Sequence, residues 1–326
     1  MAIKRSLPDW LVGALVTAFF VFITVTGFLD FTDGIERRTF DFRAKLAAPS
    51  ERNPDIEIVA ITDDDLSELG RFPWPRDILA RGVNNLAMAG ARVIAMNILF
   101  PEPEQTEGLQ AVEGLRRKFE SLGLAQQEQG LAFYQELSDA VDRMDNDRKL
   151  YEAMKEAGNV VLPVYFDTQS QGRDPEPLPF MVQNSYRNVR GTDDPWAMQS
   201  LIWLDKVKPL LPLFSKAAAG AGHLNLFPDS DGSIRDQVHV IGYLKNTFFP
   251  SFPMAIVKAY KELSEEDITV TLGQGIQLRM TPSTSVLVPV RDNQMATLIN
   301  WNEGPDVAFH RTPFSKVYRN EIRTPL

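Results

Sequence analysis

The pattern of apolar and polar positions divides the chain at once. From Trp10 to Phe31 the sequence WLVGALVTAFFVFITVTGFLDF carries one charge, Asp30. At about 1.5 Å per residue this run crosses a hydrocarbon core of about 30 Å, so it predicts a transmembrane helix over 10–31. It exceeds the roughly 7–15 apolar residues of a cleaved signal peptide, and no A-x-A-like site follows. An uncleaved anchor is therefore expected, with residues 1–9 as a short cytoplasmic tail and 32–326 beyond the membrane. Lys4 and Arg5 flank one side, but Arg37, Arg38, Arg43 and Lys45 follow the other. Basic residues alone thus leave the orientation open. The short tail favours a signal-anchor: a single pass of the inner membrane, with the large domain periplasmic or extracellular.

Beyond the anchor the periodicity changes repeatedly. Gly34–Leu46 sets Ile35, Phe40, Phe42 and Leu46 among charges and predicts a stalk helix over 34–46. Ile56–Ile61 is a short β-branched run, read as a buried strand. The loop GRFPWPR (70–76) leads into an amphipathic helix carrying Ile78, Leu79, Val83, Leu86 and Ala89, and Arg92–Leu99 is a second strand. Together these predict a βαβ unit with a right-handed crossover. Leu109, Val112, Leu115, Phe119 and Leu122 repeat at helical steps, and the pattern resumes from Leu131 to Met154 with a break near Asp145–Asp147. The part over 108–144 forms a helical insertion. Gly158 closes the last helix, and Asn159–Phe166 is a third strand. After the Pro-rich loop Asp167–Pro195, helices are expected at Pro209–Ala219 and Phe252–Leu263. Strands are expected at Gly222–Leu226, Arg235–Leu244, Ile268–Leu272, Ile276–Met280, Val286–Val290 and Thr297–Trp301. The fold class is α/β: an N-terminal transmembrane helix, then a three-layer mixed α/β domain with a strand-rich C-terminal half.

Charge and composition remove several function classes. With 34 basic and 43 acidic side chains the formal charge is −9, and a pI near 5.0 opposes nucleic-acid binding, which needs a basic face. The absence of cysteine excludes disulfides, thiolate metal sites and cysteine nucleophiles. The three histidines, His223, His239 and His310, stand in no metal-binding motif. There is no P-loop, no GxSxG and no ordered Ser/His/Asp set, so neither a catalytic residue nor a cofactor is expected in this chain.

Several longer stretches resemble a known family. The stalk IERRTFDFR, the run IVAITDDDLSELGRFPWPRDILARGVNNLAMAGARVIAMNILFPEPE, then GNVVLPVYF, AAAGAGHLNLFPDSDGSIRDQVHVI, FPSFPMAIVKA and LINWNEGP are similar to the type-two CHASE domain. That name denotes a cyclase/histidine-kinase-associated sensory extracellular module. The resemblance implies an extracytoplasmic sensor of a bacterial signal-transduction protein. Its output would be cytoplasmic, an adenylate or guanylate cyclase, a kinase or a diguanylate cyclase, encoded beyond this chain. Three departures stand out. Asn97 occupies a position where the family often has Asp, and the helical insertion is long. The family's later "GKIVLIG"-, "DTP"- and "GVEIHA"-like segments are not in the chain, so a longer polypeptide is expected.

The candidate site residues lie in four places. Asp63, Asp64 and Asp65 follow the first strand, Asn97 the second and Asp167 the third. If those strand ends share one sheet edge, where open α/β sheets bind ligands, their side chains would suit a divalent cation, with Asp63 and Asp65 as its ligands, or a polyol or amine. The plainer alternative is that Asp63–Asp65 cap the next turn. Trp74, flanked by Arg71 and Arg76, reads as a stacking platform with anion donors, or else as a core plug with Pro75 opening the helix. Asp229–Ser233 (DSDGS) reads as a hairpin turn in preference to a calcium loop. His223, Asn225 and Arg235 are candidates for a polar pocket.

Two functions compete on this evidence. In the first, a homodimeric, membrane-anchored sensor binds a small ligand or protein and shifts its anchor helix. In the second, a docking module uses the insertion's helices, Leu115 and Phe119 included, and takes no small molecule. A metal-dependent hydrolase built on Asp63–Asp65 is a distant third.

Overall fold

A computed structural model describes residues 9–25, 29–48, 52–170, 172–291, 294–301 and 308–322. The chain divides into two compact units, residues 1–56 with 300–310, and 57–299 with 311–326.

The first unit contains helices α1 (Asp9–Val25) and α2 (Leu29–Ala47). Trp10, Leu15, Phe19, Phe20 and Phe22 of α1 are each more than half exposed. The single span expected over 10–31 is not found as one helix. Helix α1 has 17 residues, about 26 Å at 1.5 Å per residue, and Leu29–Phe31 belong to α2. Among the described residues, no helix is long and apolar enough to cross a membrane. Residues 1–8 of the expected tail, and 26–28, lie outside those described. Helix α2 contains the expected stalk.

The second unit opens with β1 (Glu57–Ala60), α3 (Asp63–Leu69), α4 (Arg76–Met88) and β2 (Ile94–Ala95). The insertion is an antiparallel pair, α5 (Glu107–Ser121) and α6 (Glu128–Met144), followed by α7 (Asn146–Ala157). The expected break falls at Asp145, whose side chain caps α7 by accepting from Arg148 N at 2.9 Å. Gly158 ends α7 with φ +68°, the left-handed conformation that favours glycine. Strand β3 (Val160–Phe166) is almost wholly buried, as expected of an apolar run in a parallel sheet.

Next come α8 (Pro179–Gln183), β4 (Val189–Arg190), α9 (Pro195–Met198), β5 (Ile202–Trp203), β6 (Val207–Lys208), α10 (Pro212–Ala217) and β7 (Gly220–His223). The strand-rich part holds β8 (Asp236–Val238), β9 (Val240–Tyr243), β10 (Thr247–Pro250), α11 (Phe252–Tyr260), β11 (Ile268–Thr271), β12 (Gly275–Thr281), β13 (Thr284–Pro289) and β14 (Ala296–Leu298). Strand β15 (His310–Pro313) and helix α12 (Phe314–Tyr318) close it.

Strand β3 is the centre. It pairs in parallel with β2 (Ile94↔Val160) and with β7 (Val161↔Gly220 to Val164↔His223). Side chains alternate across a strand, and here the two faces meet different helices. Val160, Leu162, Val164 and Phe166 join a core with Leu79 and Val83 of α4, Leu150 and Met154 of α7 and Phe214 of α10. Val161 joins Phe252 and Ala255 of α11 on the other face. Helices therefore cover both faces of this sheet. A separate core lies in the antiparallel meander β11–β12–β13, which β4 extends in parallel. There Ile276 and Leu278 point inward while Gln277 and Arg279 face out, packed with Val240, Ile268, Val270 and Met295.

Three topological expectations are corrected. The βαβ unit over 56–99 does not form, because β1 pairs with β15 while β2 pairs with β3. The parallel crossovers run instead from β2 to β3 and from β3 to β7. The strand expected over Arg92–Leu99 shrinks to two residues. Nor do the strands around DSDGS form a hairpin. β7 pairs with β3, β8 pairs with β14, and a hairpin forms farther on between β9 and β10. A buried parallel strand competes better for β7 than its sequence neighbour does, because it completes an apolar sheet.

Candidate functional site

The three aspartates after β1 have unlike fates. Asp63 and Asp64 are exposed in the first turn of α3, where carboxylates favour the helix N-terminus. Asp65 is fully buried. Its Oδ2 accepts from Thr62 N at 2.7 Å and Thr62 Oγ1 at 2.8 Å, closing a capping box. The same carboxylate accepts from Ser315 N at 2.8 Å and Phe314 N at 3.3 Å, at the start of α12. Burial pulls its pKa upward, but the hydrogen bonds from Ser315 and Thr62 outweigh that and hold it below the usual carboxylate range. Both oxygens are thus occupied by N–H and O–H donors. Asn97 is exposed, and Asp167 accepts from Gln169 N and Ser170 N in its own loop. With β1 in a different sheet from β2 and β3, the aspartates after β1 do not share an edge with Asn97 and Asp167. Among the described residues, no group of three or more His, Asp or Glu side chains is placed to hold a metal ion.

Trp74 is buried, stacked on Phe314 with centroids 5.0 Å apart and met edge-on by Phe72. Its indole N–H donates to Gly70 O at 2.7 Å, so both the ring and its donor are spent on packing. Arg71 is exposed. The guanidinium of Arg76 pairs with Asp147 and lies 5.2 Å from the Phe100 ring centroid and 5.3 Å from that of Phe214. Its backbone N–H donates to Glu104 Oε2 at 2.8 Å, and Glu104 N donates to Asp147 Oδ2 at 3.0 Å. Arg76 therefore ties the starts of α4 and α7 to the chain after β2 instead of facing a ligand.

His223, Asn225 and Arg235 are each buried but do separate things. Asn225 imitates a peptide group at the end of β7. Its Oδ1 accepts from Phe166 N at 2.9 Å and its Nδ2 donates to Phe166 O at 2.7 Å. Arg235 donates to Asp229 Oδ2 at 2.6 Å and to Asp231 Oδ2 at 2.9 Å, folding the DSDGS loop over its own guanidinium. His223 lies fully buried with an edge toward Phe166, and neither ring nitrogen has a hydrogen-bond partner among the described residues. Burial, and then the neighbouring His239, push it down to about 3. Gly222 lets this strand approach α11 closely, since a Cβ there would stand 2.4 Å from Ser251 O.

That approach builds one flank of a cavity of about 290 Å³. Its floor is Gly220 and Ala221 of β7. Its walls are Met254, Ala255 and Ala259 of α11 with Leu263 and Ile268 beyond, and Lys258, Glu262 and Glu265 carry its charges. Tyr186 completes it. Tyr186 N donates to Phe248 O at 2.9 Å, but the buried hydroxyl has no partner among the described residues. Burial first, then the Glu265 carboxylate, push its pKa upward. Lys258 and Glu265 pair with each other.

Sequence reasoning missed Tyr186, Lys258 and Glu265. Tyr186 sits in the stretch read as a long polar loop. The ion pair straddles the end of α11 at a seven-residue spacing that no motif marks. A lone aromatic in SYRN was the one available signal. In the insertion, Leu115 and Leu122 are exposed, while Phe119 packs edge-on against Phe133 of α6.

No curated protein and no solved structure matches the chain. Among protein families, the CHASE2 domain matches residues 15–325, which takes in α2, the Asp65 capping box, the buried strand β3 and the whole cavity. CHASE2 domains are extracellular sensory domains of signalling proteins, not catalytic ones, and this chain belongs to that family.

Proposed function

We propose that the chain is the extracytoplasmic, ligand-sensing part of a bacterial signalling protein, fastened to the inner membrane by its N-terminal apolar segment. The observation that carries this reading is α1. Its Trp10, Leu15 and Phe19 are each more than half exposed, and an apolar surface of that kind is costly in water and at home in lipid. The charged helix α2 follows it in the chain, with no Gly/Ser-rich linker between them. In a homodimer, a change in the domain would alter the spacing or tilt of two such helices and so reach a cytoplasmic cyclase, kinase or diguanylate cyclase. Binding drives this only if the ligand prefers one of two states.

Protease added to intact spheroplasts tests the topology. The sensor domain is expected to be digested without lysis, while the chain sediments with membranes and is released only by detergent. A domain that resists until the cells are lysed overturns the reading.

A further inference from the structure

The α11 cavity has a mixed lining, part carbon and part polar, and one of its lining residues carries an idle hydroxyl. Inside, Met254, Ala255, Leu263 and Ile268 offer carbon. Tyr186 is 7 % exposed, and its hydroxyl, able both to donate and to accept, does neither. Buried polar groups are almost always paired, and an unpaired hydroxyl on a residue that lines a cavity has a hydrogen bond to gain from an occupant. Glu265 engages Lys258, and Glu262, its side chain mostly exposed, pairs with Arg92 at 3.5 Å. Neither cation is left free to meet an anionic head. The volume, about 290 Å³, lies at the small end of ligand sites and equals the liquid volume of roughly ten waters.

We infer that this cavity binds a small molecule with a compact apolar body and a single hydroxyl or ammonium head. The body fills the space between α11 and Ile268. The head meets the Tyr186 hydroxyl and, when it is an ammonium, the Glu265 carboxylate, whose two oxygens can accept from a second donor beside Lys258. The helix α11 that forms the wall also packs on the far face of β3, through Phe252 and Ala255 against Val161. A ligand that presses on α11 therefore acts on the central sheet. This inference rests on the sensor reading for its purpose, but not for its chemistry.

The test is calorimetric titration of the full chain in nanodiscs, with empty nanodiscs subtracted, using benzylamine, benzyl alcohol and benzoate as probes of one body and three heads. Benzylamine and benzyl alcohol are expected to bind with one site each, and benzoate at least tenfold more weakly. Tyr186→Phe should weaken the first two about tenfold, the scale of one lost hydrogen bond, and Ala259→Leu should abolish binding by filling the space. Tyr186→Phe removes one oxygen that holds nothing in place, so it remains a valid test even where Ala259→Leu does not fold. No binding of either expected probe, or binding unchanged in Tyr186→Phe, overturns the site. A failure here leaves the protease topology untouched, and a failure there leaves these affinities untouched.

Discussion

Asp65 and Tyr186 are both withdrawn from solvent, and the two regions around them treat buried polarity in opposite ways. Around Asp65 each group is used. One carboxylate accepts from Thr62 twice and from the first two N–H groups of α12, joining the front of the chain to residues some 250 positions later. Asp174 repeats the pattern, accepting from Lys206, Tyr243 and Val207 N. Around α11 and β7 the groups stand idle: the Tyr186 hydroxyl and both nitrogens of His223 have no partner among the described residues. A saturated buried group fixes a structure, whereas an unsatisfied one raises its free energy. The first kind marks the frame of this molecule and the second the place where a ligand or a proton has something to gain.

The contrast breaks most widely in acid. His223 is pushed down to about 3 and His239 to about 4, both chiefly by burial, from an ordinary 6.5. Between those values the unfolded chain binds protons that the folded chain refuses, so stability falls as pH falls from about 6.5. Each group contributes a slope near 1.4 kcal/mol per pH unit. Asp65 acts in the same direction at lower pH. Its carboxylate is held below its usual 3.8, so its contribution is present above that value and lost as pH drops through the folded one. Urea denaturation between pH 7 and pH 4.5 should show a steep loss below 6.5, and His223→Leu should roughly halve the slope. A flat profile over that interval would contradict the burial of a neutral, unpartnered ring.

Asp65→Ala comes next in size. It removes the α3 cap and leaves two N–H groups at the start of α12 without an acceptor, for an expected loss of about 3 kcal/mol. Asp65→Asn, which keeps one oxygen acceptor but not the charge, should fall between. Denaturant midpoints measure both. A cost below about 0.5 kcal/mol, the level of an ordinary surface change, would mean that the carboxylate is not the clasp its geometry describes.

How much of this was legible in the sequence depends on distance along the chain. Local signals were read correctly: the break near Asp145–Asp147 and the stop at Gly158, the strand NVVLPVYF, and the strand over Ile276–Met280. What failed was partnership. Nothing in IEIVAI says that it pairs with HRTP at the other end, and nothing in GHLN says that it leaves DSDGS to lie beside β3. The structural roles of the candidate residues were hidden for the same reason. Asp65 looked like one of three equivalent carboxylates until α12 arrived to use it. Trp74 had no visible partner until Phe314 did. Tyr186 was hidden because its meaning is the lack of a neighbour, which only a packed structure can display.

Tyr186→Phe in the unliganded protein is the smallest expected effect, and its sign makes it informative. Phenol desolvation costs free energy that a hydrogen bond normally returns, and here none does. Removing the oxygen should therefore raise stability, by about 1 kcal/mol, while the ring keeps its contacts with the Ile268 and Met254 core. Asp65→Ala and Tyr186→Phe each delete one buried polar function, and they should move the denaturation midpoint in opposite directions. Benzylamine sharpens the contrast, because a ligand that binds only the folded chain stabilises it by RT ln(1 + c/Kd) at free concentration c, so the tighter binder gains more at a given probe concentration. Saturating probe should reverse the order of wild type and Tyr186→Phe. If Tyr186→Phe instead lowers the midpoint without probe, the hydroxyl is already satisfied, and the two regions are alike.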